Sequence, residues 1–273
     1  MITVFGHKGF IGSEIVKELR QRRQDFFLPE RDEDVKGREL GKIIYCIGLT
    51  ADAKKKPFDA IDAHINKLSD IIRNCTYEDI TYASSARVYV HMPATGSVSE
   101  KDHIPVDVSD PFELFNLTKL LAESLLLNTV VNFKSVRYSN VYGLDTTSDN
   151  FLTSIITEAI QSGRVILYTT PDSAKDYISV KDAASITIDI ALEGKNKIYN
   201  IASGINSTNK EIADTIAKTL GCQVGYASNA RQIIFPPINI DLIKEEFGFQ
   251  PSSSLSNDLD LLIKNFQKEL NKL

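Results

Sequence analysis

The amino-terminal segment constrains this chain most, because a short apolar run leads directly into a glycine-rich turn. Residues 2–5 form the run, and a helical pattern follows the turn from Ser13 to Arg22. In such a turn, the first glycine permits a sharp bend, the second lets backbone N–H groups approach a pyrophosphate, and the third lets the helix pack closely on the strand. The positive end of the helix dipole then faces the phosphates. The residues predicted to bind a dinucleotide here are Gly6, His7, Lys8, Gly9, Phe10, Ile11 and Gly12.

Beyond this turn, strand-like apolar runs alternate with helical patterns, which predicts βαβ units and a parallel sheet. The expected strands of the sheet are 2–5, 25–28, 42–47, 79–83 and 134–138. The expected helices between them are 13–22, 57–75 and 111–128. Later helices are expected at 150–162, 209–220 and 257–273. We predict an α/β fold, a Rossmann-type doubly wound parallel sheet with a small carboxy-terminal α/β substrate-binding cap.

The expected domain division follows from a change of pattern near residue 143. Residues 1–143 are expected to form the dinucleotide-binding domain, and residues 176–198 are expected to return to it. Residues 144–175 and 199–273 are expected to form the cap.

Composition narrows the function classes and the compartment. The net charge of −5 does not support a nucleic-acid-binding surface. The three cysteines are far apart and contain no Cys-x-x-Cys pair, which favours free thiols over a disulfide framework or a zinc site. We recognise neither a signal peptide nor an apolar run long enough to span a bilayer. We therefore expect a cytoplasmic protein with no metal site, no nucleic-acid partner and no membrane association.

Four further segments follow the glycine turn, and the order in which they occur is informative. They read YASSARVY at 82–89, FNLTKLLAE at 115–123, VRYSNVYG at 136–143 and KDYISVKD at 175–182. Together with the glycine turn, they resemble the extended short-chain dehydrogenase/reductase family, which comprises sugar-nucleotide epimerases, dehydratases and reductases. The resemblance extends over nearly the whole chain and keeps the family order.

The resemblance implies a site for coupled hydride and proton transfer. In the family, a tyrosine moves the proton, and a lysine four residues later lowers the pKa of that tyrosine and binds the nicotinamide ribose. A serine or threonine donates a hydrogen bond to the reacting oxygen. Here Ser85 matches the serine and Lys119 the lysine, whereas Phe115 occupies the tyrosine position. Phenylalanine keeps the ring but has no proton to transfer.

Three explanations of Phe115 remain open. In the first, a natural tyrosine has been replaced to trap a bound substrate. In the second, another group moves the proton, such as Tyr89 or a water held by Ser85. In the third, the protein binds a dinucleotide and a ligand without turning them over. The matching Ser85 and Lys119 favour the first two explanations.

The choice of cofactor depends on the segment after the second strand. Glu30 could accept a hydrogen bond from the ribose 2′-OH of NAD, whereas Arg31 could pair with the 2′-phosphate of NADP. The basic pair His7-Lys8 resembles the GDP-fucose synthase type of the family, which uses NADP. We predict NADP, with NAD as the close alternative. The resemblance implies further cofactor contacts from Cys46, Ile47, Gly48, Asn66, Lys119 and Tyr138.

The resemblance also implies residues on the substrate side. Asn140 matches a position that contacts the substrate phosphate or the nicotinamide end, and Lys175 stands where many relatives have a phosphate-binding arginine. Arg231 could clamp a diphosphate, although the acidic residue that usually follows is replaced by an apolar run. The predicted substrate contacts after the fourth strand are Ser85, Ala86 and Arg87.

Two hypotheses of function follow. The leading one is an NAD(P)-dependent epimerase or reductase that acts on a nucleotide-linked sugar. The resemblance implies a homodimer formed through the helix of Phe115 and the helix before it. The alternative is a catalytically degenerate dinucleotide-binding sensor or scaffold protein, which Phe115 favours.

Overall fold

A six-stranded parallel sheet forms the centre of the molecule. This computed structural model describes residues 1–49 and 55–272. The strands of the sheet are β1 (Ile2–Phe5), β2 (Phe26–Phe27), β3 (Lys42–Tyr45), β4 (Asp79–Ser85), β5 (Phe133–Tyr138) and β9 (Ile198–Ile201). Their order is β2-β1-β3-β4-β5-β9, and every pairing is parallel. The inner strands are almost continuously buried because both faces of the sheet are covered.

Helices cover the two faces of this sheet. The helices of this layer are α1 (Phe10–Gln21), α2 (Pro57–Ile61), α3 (Lys67–Asn74), α4 (Glu113–Thr129) and α6 (Val180–Glu193). Ile15 of α1 and Ile188 of α6 share one apolar cluster with β1. Ile71 of α3 and Leu126 of α4 share another with β3. The sheet is therefore doubly wound, and the predicted α/β fold is confirmed.

The second part of the chain has two small sheets. Strands β6 (Asn140–Tyr142), β8 (Ala174–Ser179) and β10 (Asn206–Thr208) form one, and β7 (Arg164–Thr169) pairs with β11 (Gln223–Arg231) in the other. The helices here are α5 (Phe151–Ser162), α7 (Asn209–Leu220), α8 (Asp241–Phe247) and α9 (Leu255–Leu270). Helices α5, α7 and α9 bury a common apolar cluster against β7. Phe266 of α9 belongs to that cluster, so one face of the last helix packs in the core.

The chain crosses between the two parts more often than the pattern indicates. The boundary expected after residue 198 falls inside β9, which pairs with β5 in the central sheet. Ile240 and Ile243 pack against Tyr199 in the same apolar cluster. Residues near α8 therefore join the core of the central sheet, and the expected boundary at 198 and 199 is wrong.

Candidate active site

The glycine turn is held by contacts that exclude a side chain. Gly6 has a φ of +79°, and a Cβ on it would lie 2.7 Å from the carbonyl carbon of Cys46. A Cβ on Gly12 would lie 2.2 Å from the carbonyl oxygen of Gly6. The N–H of Gly9 donates to that same oxygen at 2.9 Å. Glycine is thus required for the close approach of β3 and α1 to the turn.

The amino terminus of α1 carries backbone N–H groups that no described side chain caps. Gly9 precedes the helix, no described side chain caps it, and its first turn carries no acidic residue. Uncapped N–H groups and the positive helix end together favour an anion. The side chains of Phe10 and Ile11 pack instead: Phe10 lies against Gly143, and Ile11 is partly buried between two apolar clusters. The predicted turn residues would therefore act on a phosphate mainly through their backbone.

Acidic and basic groups meet where the cofactor ribose is expected. The Nζ of Lys8 lies 2.5 Å from a carboxylate oxygen of Glu30, and both side chains are exposed. The hydrogen bond from Lys8 lowers the pKa of Glu30. Arg31 is exposed beside them, and the Nδ1 atom of His7 is buried without a hydrogen-bond partner. The structure thus pairs Glu30 with Lys8, and Arg31 follows Glu30 in the chain with an exposed side chain.

The segment after β3 passes directly over the buried lysine of α4. The N–H of Cys46 donates to the carbonyl of Phe5 at 2.9 Å, and Ile47 packs against the core. A Cβ on Gly48 would lie 3.0 Å from Nε2 of His64 and 3.4 Å from Nζ of Lys119. Gly48 therefore lies at the carboxyl edge of the sheet, where parallel α/β sheets bind their ligands.

His64 occupies the place that was predicted for Asn66. Asn66 is exposed and donates to Asp62 at 2.5 Å, whereas His64 is fully buried. The N–H of Leu49 donates to Nε2 of His64 at 3.1 Å, so Nδ1 carries the proton and donates to Oγ1 of Thr118 at 2.8 Å. Burial lowers the pKa of His64 to about 3. The structure thus places a neutral histidine, which sequence reasoning missed, against Gly48 and Lys119.

Lys119 lies at the centre of the site. Its Nζ donates to the carbonyl oxygen of Ala83 at 2.8 Å. It also lies 4.9 Å from the ring centre of Tyr82 and 5.9 Å from that of Phe115. Burial lowers its pKa to about 7. Within the described chain, Lys119 forms no ion pair, so its remaining N–H groups are available for a ligand.

Phe115 fills the proton-donor position with an apolar ring. It is 8% exposed and packs on Ala60 of α2. Its ring meets the imidazole of His64 edge to face, with ring centres 5.7 Å apart. Oγ1 of Thr118 donates to the carbonyl of Phe115 at 2.9 Å, which ties this turn of α4 to His64. The ring is thus held in place, but its tip has no polar atom.

The predicted serine lies at the end of β4. Oγ of Ser85 accepts a hydrogen bond from the N–H of Arg87 at 3.1 Å and begins a short 3₁₀ helix over Ala86–Tyr89. Ala86 is buried beneath this turn. Ser85 is partly exposed, so its hydroxyl proton remains available to a ligand.

Tyr89 does not serve as a substitute for the missing tyrosine. It is 1% exposed, and its hydroxyl donates to Oδ1 of Asn200 at 2.9 Å while accepting from Nη1 of Arg137 at 2.7 Å. Burial raises the pKa of Tyr89 to about 12. The hypothesis that Tyr89 moves the proton is therefore wrong, because its hydroxyl belongs to a buried network that stabilises the core.

The remaining predicted contacts differ in their surroundings. Nδ2 of Asn140 donates to the carbonyl of Asp176 at 2.8 Å, beside Lys175 on β8. Nζ of Lys175 lies 4.4 Å from the ring centre of Phe151. Arg231 is exposed at the end of β11.

The hydroxyl of Tyr138, a predicted cofactor contact, shares a hydrogen bond with Thr187 at 2.7 Å in the core. Tyr138 could therefore reach a cofactor only through its backbone.

One group of possible metal ligands lies at the start of α4. The ligating atoms of His91, Asp110 and Glu113 all lie within 4.8 Å of one another. Glu113 is buried and is bound by Nε2 of His91 at 3.1 Å and by Nδ2 of Asn116 at 2.6 Å. These hydrogen bonds already account for the burial of the Glu113 carboxylate.

Comparison with known proteins places the chain among sugar-nucleotide enzymes. A sequence model of the NAD dependent epimerase/dehydratase family matches residues 42–202. A putative UDP-glucose 4-epimerase of Methanocaldococcus jannaschii is 25% identical over 316 aligned positions, which cover all of both chains. A dTDP-4-dehydro-6-deoxyglucose reductase of Escherichia coli is 25% identical over 221 positions, covering 73% of this chain and 68% of the relative.

Solved structures share the fold at low sequence identity. MoeE5 in complex with UDP-glucose and NAD has a TM-score of 0.81 at 20% identity and covers 98% of this chain and 99% of its own. UDP-glucose 4-epimerase of Thermotoga maritima with UDP-glucose has a TM-score of 0.79 at 19% identity, with the same coverage.

In the described part of the chain, no helix is both long and apolar enough to cross a bilayer.

Proposed function

We propose that this chain, which belongs to the NAD-dependent epimerase/dehydratase family, epimerises or reduces a carbon of a nucleotide-linked sugar with NADP or NAD. The observation that carries the proposal is the position of Lys119. Its Nζ lies under Gly48 at the carboxyl edge of the sheet, with Phe115 four residues before it on α4. Ser85 ends the neighbouring strand at that same edge.

Each residue of the site has its own role in the proposed reaction. The nicotinamide, when bound, accepts or returns a hydride at the sugar carbon. The helix start at Gly9 binds the pyrophosphate, and Lys119 binds the ribose through the N–H groups that Ala83 leaves available. The hydroxyl of Ser85 holds the reacting sugar oxygen. Because Phe115 cannot move the proton of that oxygen, a water held by Ser85 moves it in this chain.

The cofactor proposal remains NADP, with NAD as the close alternative. The exposed Arg31 supports NADP, since an arginine pairs strongly with a 2′-phosphate. The carboxylate of Glu30 supports NAD, since it repels a 2′-phosphate and accepts a bond from a 2′-OH. The Lys8–Glu30 ion pair offsets part of that repulsion.

Exposed apolar side chains support the proposed homodimer. Leu121 and Leu127 of α4 are 54% and 61% exposed, and Phe58 of α2 is 79% exposed. These are the helices through which we propose that two copies associate. The proposed location is the cytoplasm, where the three free cysteines stay reduced.

A second candidate function is a dinucleotide-binding sensor or scaffold protein. Phe115 favours it, because a binder needs the glycine turn and Lys119 but no proton donor. The partly exposed hydroxyl of Ser85 argues against a sensor or scaffold protein, because binding of the ribose does not use that hydroxyl.

We expect Gly12→Ala to weaken dinucleotide binding at least tenfold, roughly the value of one charged hydrogen bond. The new Cβ would lie 2.2 Å from the carbonyl of Gly6, so the turn must open and its N–H groups move away from the pyrophosphate. Gly225→Ala is the matched control, because its Cβ enters open space. Titration of each protein with NADPH and with NADH measures the effect and identifies the preferred cofactor. Equal binding by both variants would contradict the proposed pyrophosphate site.

We expect the affinity for UDP-glucose to fall about tenfold between roughly pH 7 and pH 9, because burial lowers the pKa of Lys175 to about 8. A diphosphate binds the protonated amine, so binding weakens as pH rises and the free lysine loses its proton. Lys175→Arg keeps its charge over this range and should give a flat profile. Calorimetric titration of the cofactor-loaded protein measures both profiles. The same slope in both proteins would remove Lys175 from the diphosphate site.

A further inference from the structure

His64 is a buried histidine that the proposed reaction does not use. It lies in the π-helix Asp62–Asn66, between α2 and α3, and is 0% exposed. Such turns are rare overall but occur often at functional sites. Here the turn directs the imidazole at α4 and at residues 46–49 after β3. We call residues 46–49 the cofactor segment, because the predicted dinucleotide contacts include three of its members.

Both ring nitrogens of His64 are hydrogen-bonded. Nε2 accepts the N–H of Leu49 at 3.1 Å, and Nδ1 donates to Oγ1 of Thr118 at 2.8 Å. Oγ1 of Thr118 in turn donates to the carbonyl oxygen of Phe115 at 2.9 Å. A hydrogen-bonded path therefore runs from the cofactor segment through the imidazole to the turn of α4 that precedes Lys119. Since both nitrogens are engaged, the ring acts on the reaction only through the groups that it holds.

The imidazole also lies directly against the cofactor segment, next to the lysine. A Cβ on Gly48 would lie 3.0 Å from Nε2 of His64 and 3.4 Å from Nζ of Lys119. The backbone of the segment thus rests on both groups. The ring of Phe115 meets the imidazole edge to face, with ring centres 5.7 Å apart. The imidazole therefore sets how closely Gly48 approaches the amine of Lys119.

His64 makes these contacts as a neutral group. Burial, and then the charge of Lys119, lower the pKa of His64 to about 3. A neutral imidazole has one acceptor and one donor nitrogen, which matches an N–H on one side and a hydroxyl on the other. A protonated ring would offer two donors, lose the bond from Leu49 and repel the ammonium group of Lys119. The neutral ring thus preserves both bonds and leaves the lysine without a second positive charge beside it.

We propose that His64 is a positioning residue for the dinucleotide, and that it holds the cofactor segment at the distance from Lys119 that the nicotinamide ribose requires. The inference rests on the proposed function, because it takes Lys119 as the contact to that ribose. In the proposed site, the pyrophosphate binds at the start of α1 and the adenosine ribose beside Glu30. Loss of the bond to Leu49 should therefore weaken binding of the nicotinamide ribose and leave binding of the adenosine half unchanged.

The test shortens the ligand and the side chain separately. The ligands are NADH or NADPH, whichever binds more tightly, the same molecule without nicotinamide (ADP-ribose or its 2′-phosphate), and the same molecule without the second ribose (ADP or its 2′-phosphate). His64→Asn keeps a donor near the place of Nδ1 but is too short to reach Leu49. In calorimetric titrations, we expect it to bind the first two ligands about tenfold more weakly, within the range for a buried N–H that loses its partner. Binding of the third ligand should not change.

His64→Gln is the matched control, because its longer side chain brings an amide oxygen to the place of Nε2 and can accept the N–H of Leu49. It should bind all three ligands as the wild-type protein does. Thr118→Val removes the hydroxyl that orients the imidazole and should repeat the pattern of His64→Asn, also if His64→Asn itself does not fold. Thr118→Ser keeps the hydroxyl and should keep the wild-type affinities. Circular dichroism establishes which variants are folded.

Three results would overturn the inference. An equal loss for all three ligands in His64→Asn would show a general loss of structure. Unchanged binding in every folded variant would show that the cofactor segment is held without the imidazole. Equal losses in His64→Gln and His64→Asn would exclude the bond to Leu49 as the cause. In each case the wild-type protein still binds the dinucleotide, so the proposed function stands. Failure of the wild-type protein to bind either dinucleotide would overturn the inference and the proposed function together.

Discussion

Phe115→Tyr is expected to raise the turnover of nucleotide sugars by about 10²–10⁴-fold, the usual contribution of a positioned general acid or base. The substitution adds one hydroxyl at the tip of a ring that His64 and Ala60 already hold in place. Lys119 lies one helical turn further on, with Nζ 5.9 Å from the ring centre. A nearby cation favours the phenolate form and lowers the pKa of the new phenol. The site would then hold a tyrosine, lysine and serine together.

The measurement incubates each protein with NAD(H) or NADP(H) and a panel of UDP-, GDP- and dTDP-sugars, and follows nicotinamide absorbance and sugar identity. Phe26→Tyr is the matched control, because it adds the same hydroxyl to a partly exposed ring on the edge strand β2, away from the proposed dimer helices. Equal turnover in the wild-type and Phe115→Tyr proteins would mean that another group moves the proton efficiently. Turnover in neither protein, alongside tight dinucleotide binding, would favour the sensor.

The parts of the fold that could be predicted are those in which local pattern and burial agree. The glycine spacing located β1, the turn and α1, because Gly6 and Gly12 lie at contacts that leave no room for a Cβ. Helix α6 was not predicted, although it follows a recognised segment. Its buried residues surround much of the helix, from Val180 to Ala191, so its sequence lacks the apolar stripe of a half-exposed helix.

Two site residues show the limit of the same reasoning. The chain is a π-helix over Asp62–Asn66, which adds a residue to the turn and changes the direction of the side chains after it. No local pattern indicates this, and His64 rather than Asn66 faces Lys119. Tyr89 was misassigned because its partners Arg137 and Asn200 are distant in sequence. Such contacts depend on the packed sheet.

A buried ion pair behind the site joins α4 to the central sheet. Nε and Nη2 of Arg137 donate to the two carboxylate oxygens of Glu123 at 3.0 Å and 2.6 Å, and both side chains are less than a tenth exposed. Oγ of Ser84 donates to the same carboxylate at 2.6 Å. Burial alone would lower the pKa of Arg137, but the hydrogen bonds to Glu123 raise it. The two charges are therefore hydrogen-bonded to each other in a buried site.

Arg137→Met is expected to lower the free energy of unfolding by about 3–5 kcal/mol, because it leaves the carboxylate of Glu123 buried without its cation. The thioether matches much of the side-chain volume, so the loss reports the charge more than a cavity. Asp260→Asn is the control: it breaks the exposed Lys264–Asp260 pair, which contributes little to stability because water screens the two charges.

Urea unfolding of both variants, followed by circular dichroism, measures the two free energies. Adding Glu123→Gln to Arg137→Met should recover part of the loss, since the neutral amide costs less to bury. A loss in Arg137→Met no larger than in Asp260→Asn would mean that water reaches Glu123. In that case the low pKa of Lys119 would need another cause. Lys119 lies one turn before Glu123 on α4, and its pKa is lowered by the same exclusion of water.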